Sequence, residues 1–135
     1  MIKVAVIGAG ASGMMAAITA ADNGAQVFLF EKNDRVGKKI LATGNGKCNL
    51  SNLNGGLEHY YCEDREKLGK LFQIFSVMDT VAFFENTGLM IKEKNGYLYP
   101  YCEQASAVLD ILRRELVRKG VQVITDAEIV NTEYQ

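Results

Sequence analysis

The 135-residue sequence predicts an α/β domain built on a parallel sheet. Two short runs of mainly β-branched and apolar residues, 2–7 and 27–30, have the character of parallel strands that are covered on both faces. Between them, apolar residues recur at helical spacing, and Gly24 can end that helix in a left-handed conformation. Strand, helix and strand in this order form a βαβ unit.

Three glycines occupy the turn from the first strand into the helix, in the pattern Gly-x-Gly-x-x-Gly. Gly8 allows a tight turn, Gly10 lets a pyrophosphate approach the backbone, and Gly13 lets the helix pack against the sheet. The helix then begins with the N–H groups of Ala11, Ser12 and Gly13, where unpaired donors and the helix dipole favour an anion.

Glu31 ends the second strand, and its carboxylate can accept hydrogen bonds from the hydroxyls of a ribose. The same negative charge would repel a 2′-phosphate, which argues against NADP at this site. The order of these features along residues 2–31, from strand through glycine turn and helix to a second strand that ends in an acid, predicts a Rossmann-like dinucleotide-binding unit. The alternative is a glycine-tolerant turn beside a solvated Glu31.

The composition is that of an ordinary globular protein, with a formal net charge of −1. No long-range field therefore favours nucleic acid or an anionic membrane, and no apolar run is long enough to span a bilayer. The first strand begins at once, which leaves no room for a signal peptide, and three cysteines without a paired spacing are read as reduced thiols. We therefore expect a cytoplasmic protein. A metal site made of Cys48, His59 and Cys62 would lack a fourth ligand, so no metal is predicted.

The segment after Glu31 is a basic, glycine-rich loop. Its cationic residues are Arg35, Lys38, Lys39 and Lys47. Residues 36–43 can form a short helix or a single turn, whereas 44–52 are predicted to be irregular. Such a loop beside a phosphate site can meet the rest of a large cofactor, and the alternative is a solvated charged loop.

Residues 37–52 read GKKILATGNGKCNLSN and resemble the signature of the BaiN/YhiN-like flavoproteins, the aminoacetone-oxidase family of FAD-binding enzymes. Arg35, Gly37, Lys39 and Thr43 resemble the Arg-x-Gly-Gly-Arg-x-x-x-Ser/Thr element of flavoproteins with two dinucleotide-binding domains, with lysines in place of the usual Gly and Arg. Residues 96–110 are similar to the same family. The resemblance covers nearly the whole chain.

This resemblance implies FAD in an extended conformation on a Rossmann-like domain of glutathione-reductase-like topology. The pyrophosphate would lie at residues 8–13 and the adenosine ribose at Glu31. The further contacts that it implies are Lys32 and Ile129 at the adenine, Lys39, Thr43, Gly44, Asn45 and Gly46 along the pyrophosphate and ribitol, and Cys48 and Asn49 at the flavin. Flavins carry their own redox chemistry, and the sequence offers no nucleophile–base pair or paired carboxylates, so no catalytic residue is predicted.

Cys48 allows two interpretations. A redox-active thiol beside the flavin would be favoured by Lys47, which can stabilise a thiolate. Disulfide exchange would need a second cysteine nearby, and the next one is Cys62. A loop cysteine packed against the cofactor is the simpler interpretation.

Helices and a hairpin are predicted in the remaining sequence. Residues 64–75 have one apolar helical face, and Ser76 with Asp79 forms a capping-box pattern that opens a second helix. Asn95-Gly96 is a strong hairpin signal between strands at 89–94 and 97–99.

The clearest helical pattern covers residues 103–119, with Glu103 at its positive end and Gly120 after its last turn. A third parallel strand is predicted at 121–125, followed by an extended segment at 128–134.

The family that the sequence resembles has longer chains, so residues 1–135 are interpreted as the N-terminal part of an FAD-binding domain. We expect the complete protein to be a flavin-dependent oxidoreductase acting on a small molecule, with NAD(P)H as a possible electron donor. The isolated chain is expected to bind FAD weakly, to be inactive, and to dimerise through an exposed sheet edge. The alternatives are an NAD-dependent dehydrogenase domain and an inert nucleotide-binding fragment.

Overall fold

The computed structural model describes residues 1–133. Its strands are β1 (Lys3–Ile7), β2 (Gln26–Phe30), β3 (Ser51–Asn52), β4 (Ile91–Lys94), β5 (Tyr97–Pro100) and β6 (Gln122–Ile124). Its α-helices are α1 (Ala11–Asp22), α2 (Arg65–Ile74), α3 (Val77–Asn86) and α4 (Ala105–Arg118), and 3-10 turns cover Ile40–Gly46 and Leu57–His59.

The main sheet is parallel, with strand order β1-β2-β6. The third parallel strand along the chain, β6, therefore pairs with β2 on the side away from β1. This order is the 3-2-1 half of a doubly wound fold. The predicted fold class is confirmed. All three strands point their carboxyl ends to one edge, where Ile7, Phe30 and Ile124 lie side by side.

Only one face of this sheet is covered within residues 1–133. Helices α1 and α4 pack on the side of Val27 and Leu29, which are buried. On the opposite side, the side chain of Ile7 is 59% exposed and that of Ile124 is 37% exposed. The expectation that both faces are covered is wrong for the described residues, because the two helices that contact the sheet, α1 and α4, pack on the same side of it.

The second sheet is antiparallel, with order β3-β5-β4. Asn95 and Gly96 both have positive φ, as a two-residue type I′ turn requires, so the predicted hairpin is confirmed. Its first strand begins at Ile91, two residues later than predicted. The short strand β3 pairs with β5, whereas the sequence predicted no regular structure at 44–52.

Helix α4 carries the predicted buried stripe, which comprises Ala105, Val108, Leu109, Leu112 and Leu116. It begins at Ala105, so Glu103 precedes the helix rather than occupying its first turn. The capping box of α3 is formed, since the Ser76 amide donates to Asp79 Oδ2 at 2.7 Å and the Asp79 amide to Ser76 Oγ at 3.2 Å.

Helix α2 forms as predicted, but none of its residues is buried. Leu71 is 54% exposed, Ile74 77%, and Phe75, which follows the helix, 51%. The apolar face that the sequence predicts is therefore only partly covered, with the ring of Tyr60 packed against that of Phe72 at 4.9 Å between centroids.

Residues 127–133 form no β-strand, and Tyr134, the end of the predicted extended segment, lies outside the described residues. The start of this segment is fixed to the loop after β2, because the amides of Asp126 and Ala127 donate to the carbonyls of Asn33 and Glu31, both at 3.0 Å. In the described chain no helix has the length and hydropathy needed to cross a membrane.

Candidate dinucleotide-binding site

Each of the three glycines in the turn at the carboxyl edge of the sheet has its own structural reason to be glycine. Gly8 has φ +92°, a left-handed conformation that disfavours a side chain. A Cβ on Gly13 would lie 1.8 Å from the carbonyl oxygen of Gly8, so the helix can approach the strand only without one. A Cβ on Gly10 would meet no atom within 4 Å, which leaves space above that residue for a ligand.

The N-terminus of α1 is uncapped. Its N-cap residue, Gly10, has no side chain to accept from the first amides, and the first turn carries no acidic residue. The amide of Met14 donates to Gly10 at 3.0 Å, so the three preceding amides, at 11–13, have no acceptor within the helix. These donors and the helix dipole suit an anion such as a diphosphate.

Glu31 is buried against this turn, with 8% of its surface exposed. Its Oε2 accepts from the Ala9 amide at 2.8 Å, and its Oε1 accepts from the Asn33 amide at 2.9 Å. The Asn33 amide, followed by that of Ala9, holds the pKa of the Glu31 carboxyl below its ordinary value. Glu31 is therefore ionised and buried rather than solvated. Glu31 thus braces the turn with the help of Asn33. The sequence gives no sign of this role of Asn33 except that it lies two residues after Glu31.

Gly37 joins the basic loop to the same turn. Its amide donates to the carbonyl of Ala9 at 2.8 Å. It has φ +72°, and a Cβ there would lie 2.2 Å from Leu109 of α4. The neighbouring carbonyl of Val36 accepts from Arg113 at 3.3 Å. Helix α4 therefore holds the loop in place, a role for Arg113 that the sequence did not indicate.

A cavity of about 350 Å³, here called the strand-edge cavity, opens between the turn and residues 127–129. It is lined by six of the residues predicted to contact the cofactor, which are Gly8, Gly10, Glu31, Lys32, Lys39 and Ile129. Arg35 and Lys38 also line it, and Lys38 is paired with Asp34 at 2.6 Å. Four cations thus surround a cavity whose apolar walls come from Ile7 and Phe30.

A second cavity, of about 310 Å³ and here called the loop cavity, lies between α1, the Ile40–Gly46 turn and α4. Five further predicted residues line it: Ala11, Ser12, Thr43, Cys48 and Asn49. The rest of its wall is apolar and comes from Met15, Ile40, Leu50, Phe84, Val108 and Leu112. Such a wall suits a flat ring system better than a phosphate.

The first turn of α1 lies between the two cavities, because Gly10 lines the first and Ala11 and Ser12 line the second. A ligand with a diphosphate at its middle can therefore occupy both cavities and use the uncapped amides between them.

Gly13 and residues 44–46 line neither cavity. Gly44, Asn45 and Gly46 have φ values of 54°, 51° and 81°, an unusual run of left-handed residues in the loop before Cys48.

Cys48 is buried and unbonded, whereas Cys62 and Cys102 are exposed. Lys47, the residue before Cys48, has an acidic partner of its own, because its Nζ pairs with Glu103 Oε2 at 2.8 Å. Glu103 Oε1 accepts from Lys92 at 2.6 Å. The pKa of Glu103 falls to about 2, chiefly because of its hydrogen bond to Lys47 and next that to Lys92.

The described residues hold no cluster of three His, Cys, Asp or Glu side chains arranged for a metal ion.

A parallel sheet, a glycine turn at its carboxyl edge and an acid bonded to that turn define a Rossmann-type α/β domain, the class that binds dinucleotides. Residues 2–135 match the family model described as HI0933-like protein Rossmann domain. The chain therefore belongs to the HI0933-like Rossmann domain family, and its resemblance to the BaiN/YhiN-like flavoproteins is confirmed.

Curated relatives extend over almost the whole chain. The 3-dehydro-bile acid delta(4,6)-reductase of Clostridium scindens is 44% identical over 131 residues, which are 96% of this chain and 32% of the relative. The ribosomal RNA dihydrouridine synthase of Haemophilus influenzae is 28% identical and covers 95% of this chain and 32% of its own length. The Escherichia coli protein of the same name is 28% identical over 93% of this chain and 32% of its own length.

A solved structure shares the fold. The crystal structure of Thermovibrio ammonificans THI4 superposes with a TM-score of 0.62 at 18% identity, covering 92% of this chain and 38% of that one. The chain thus spans about a third of the length of the curated relatives it matches.

Proposed function

We propose that this chain is the FAD-binding part of a flavin-dependent oxidoreductase. The observation that carries the proposal is the pair of cavities on either side of the uncapped helix start. One has a buried acid and cations, as an adenosine diphosphate requires, and the other has the apolar wall that a flavin ring requires. Membership of a flavoprotein family supports the same cofactor.

The residues that line the two cavities fit FAD. The amides at 11–13, with the open backbone of Gly10, would hold the pyrophosphate, and Glu31 would accept from the adenosine ribose. Lys32 and the backbone of Ile129 would flank the adenine.

The loop would complete the site. Lys39 and residues 43–46 would follow the pyrophosphate and ribitol, and Cys48 and Asn49 would border the flavin. Bound FAD supplies hydride chemistry at its N5 atom, so the protein needs only to bind, orient and exclude water. We propose no catalytic residue within this chain.

Titration with four ligands tests the cofactor. The purified chain is titrated with FAD, FMN, ADP and NAD, with flavin fluorescence and calorimetry as readouts. We expect FAD to bind more tightly than FMN, because FMN leaves the strand-edge cavity empty, and we expect ADP to compete with FAD. Equal affinity for FMN and FAD would contradict the assigned adenosine site.

Two other functions predict different results. Protein that binds NAD but no flavin would be an NAD-dependent dehydrogenase domain, since Glu31 suits the ribose of either cofactor. Protein that binds none of the four ligands would be an inert fragment.

We further propose the reaction class of the complete protein. The activities named for these relatives are the reduction of a bile acid with double bonds conjugated to a 3-oxo group and the conversion of uridine in RNA to its dihydro form. Both changes reduce a carbon–carbon double bond conjugated to a carbonyl group. Hydride adds to the carbon β to the carbonyl, a proton adds to the α carbon, and NAD(P)H supplies the two electrons.

A small conjugated ketone is the preferred substrate class, because identity to the bile acid reductase is 44% against 28% for the RNA enzymes. The test uses the protein made from its complete reading frame, supplied with NAD(P)H and either a steroid dienone or a uridine-containing RNA. Loss of the dienone absorbance supports the proposal, and formation of dihydrouridine alone contradicts it.

A further inference from the structure

We propose that Glu103 is a positioning residue for the left-handed loop, residues 43–49, which it holds through Lys47. The loop borders the flavin only if the chain binds FAD, so this inference rests on the proposed function.

The left-handed loop has a conformation that needs external support. Gly44, Asn45, Gly46 and Cys48 all have positive φ, and at Cys48 this conformation is disfavoured by its side chain. The amides of Lys47 and Cys48 donate within the loop, to the carbonyls of Gly44 and Thr43, each at 3.1 Å. These bonds shape the loop but do not fix it to the rest of the domain.

Two polar contacts join the end of the loop to its surroundings, in addition to the burial of Cys48 in the core. The amide of Leu50, just after the loop, donates to Leu98 of β5 at 2.8 Å. The side chain of Lys47, directly before Cys48, reaches Glu103 Oε2 at 2.8 Å. Both contacts lie beside residues that line the loop cavity, and the second is the one made by a side chain of the loop.

Glu103 is suited to this role by its own position. It lies between β5 and α4 with φ +54°, so its carboxylate projects from a fixed turn whose amide donates to Pro100 at 2.9 Å. Its other oxygen takes Lys92 of β4 at 2.6 Å. One carboxylate thus joins the left-handed loop, the hairpin and the start of α4, which also contributes Val108 to the loop cavity.

The charge state of Glu103 agrees with this arrangement. Its two lysine partners lower its pKa to about 2, so the carboxylate is ionised wherever the protein is folded at ordinary pH. Lys47 is therefore held in an ion pair with Glu103.

The test compares Glu103→Gln, which keeps the shape but removes the charge, with Lys92→Met as the matched control. Lys92→Met breaks the same ion cluster but leaves the Glu103–Lys47 contact intact. We expect Glu103→Gln to weaken FAD binding by about fivefold and Lys92→Met to change it by less than about twofold, as partly exposed ion pairs are modest. Combining Glu103→Gln with Lys47→Met should give no further loss, because both remove one interaction.

Hydrogen exchange of the ligand-free chain provides a readout that needs no cofactor. Glu103→Gln should speed exchange of the amides of Lys47 and Cys48, and Lys92→Met should not. Unchanged exchange in the loop, or equal FAD binding by Glu103→Gln and wild type, would overturn the inference while leaving the proposed function intact. If wild type binds no FAD, the proposed function fails, together with the flavin-related part of this inference.

Discussion

Gly10 and Gly13 belong to the same motif, yet we expect alanine at each position to cause a different defect. The structure leaves Gly10 facing open space and places Gly13 against the carbonyl oxygen of Gly8. Gly10→Ala should therefore fold and fail to bind FAD, whereas Gly13→Ala should lose stability. The two variants separate the ligand contact from the packing contact.

The magnitude for Gly13→Ala follows from that contact. The added Cβ would have to move from 1.8 Å to at least 3.0 Å from the Gly8 oxygen, and both partners are backbone, which has no rotamer to change. Alanine gains about 1 kcal/mol of helix propensity over glycine. Overpacking typically costs about 1–3 kcal/mol, and a backbone-to-backbone clash lies at or above the upper end. We expect a net loss of about 2 kcal/mol, or a Tm about 8 °C lower for a chain of this size.

Thermal unfolding followed by circular dichroism measures the stability, and the FAD titration measures binding. Gly10→Ala should stay within about 1 kcal/mol of wild type in the same unfolding assay, because only the helix N-cap preference changes. Wild-type stability in Gly13→Ala would refute the packing argument. Undiminished FAD binding by Gly10→Ala would refute the pyrophosphate contact.

Three further predictions concern charge, thiols and association. Glu103 has a folded pKa of about 2 against an ordinary value of 4.5, so its contribution to the free energy of unfolding is present above pH 4.5 and lost as the pH falls towards 2. In an acid titration, the free energy of unfolding of Glu103→Gln should therefore fall less steeply with pH than that of the wild type. Cys62 and Cys102 should react quickly with a thiol reagent, and Cys48, which is buried in the wall of the loop cavity, should react more slowly, which stopped-flow absorbance resolves. The uncovered sheet face should make the isolated chain self-associate, and Ile124→Lys should reduce this in sedimentation velocity; an unchanged profile would exclude that face.

The βαβ unit was predictable because each of its signals is local. The glycine spacing, the helical period and the acid at the end of β2 are all encoded within thirty residues of one another, and all three strands of the parallel sheet form where expected. The Asn95-Gly96 hairpin is local in the same sense, because those two residues themselves adopt the required positive φ values.

The errors involve contacts that are distant in sequence. The pairing of Lys47 with Glu103 joins two loops, and no periodicity marks it. Glu103 was predicted to begin a helix from its favourable charge, but its backbone is left-handed and its carboxylate is turned towards two lysines. Whether a face of the sheet is covered depends on helices that are distant in sequence. The residues of β1 therefore predict a strand but not that the face carrying Ile7 is exposed.

The bonding of Glu31 links cofactor preference to folding. The side chain that would select an unmodified ribose is also the acceptor for two backbone amides, those of Ala9 and Asn33. Replacing it with arginine to accept a 2′-phosphate would leave both amides without this acceptor, at about 1–3 kcal/mol for the buried amide of Ala9 and less for the half-buried amide of Asn33. Under the proposed function, the preference for an unmodified ribose is therefore coupled to the stability of the glycine turn. A single substitution of Glu31 would change both.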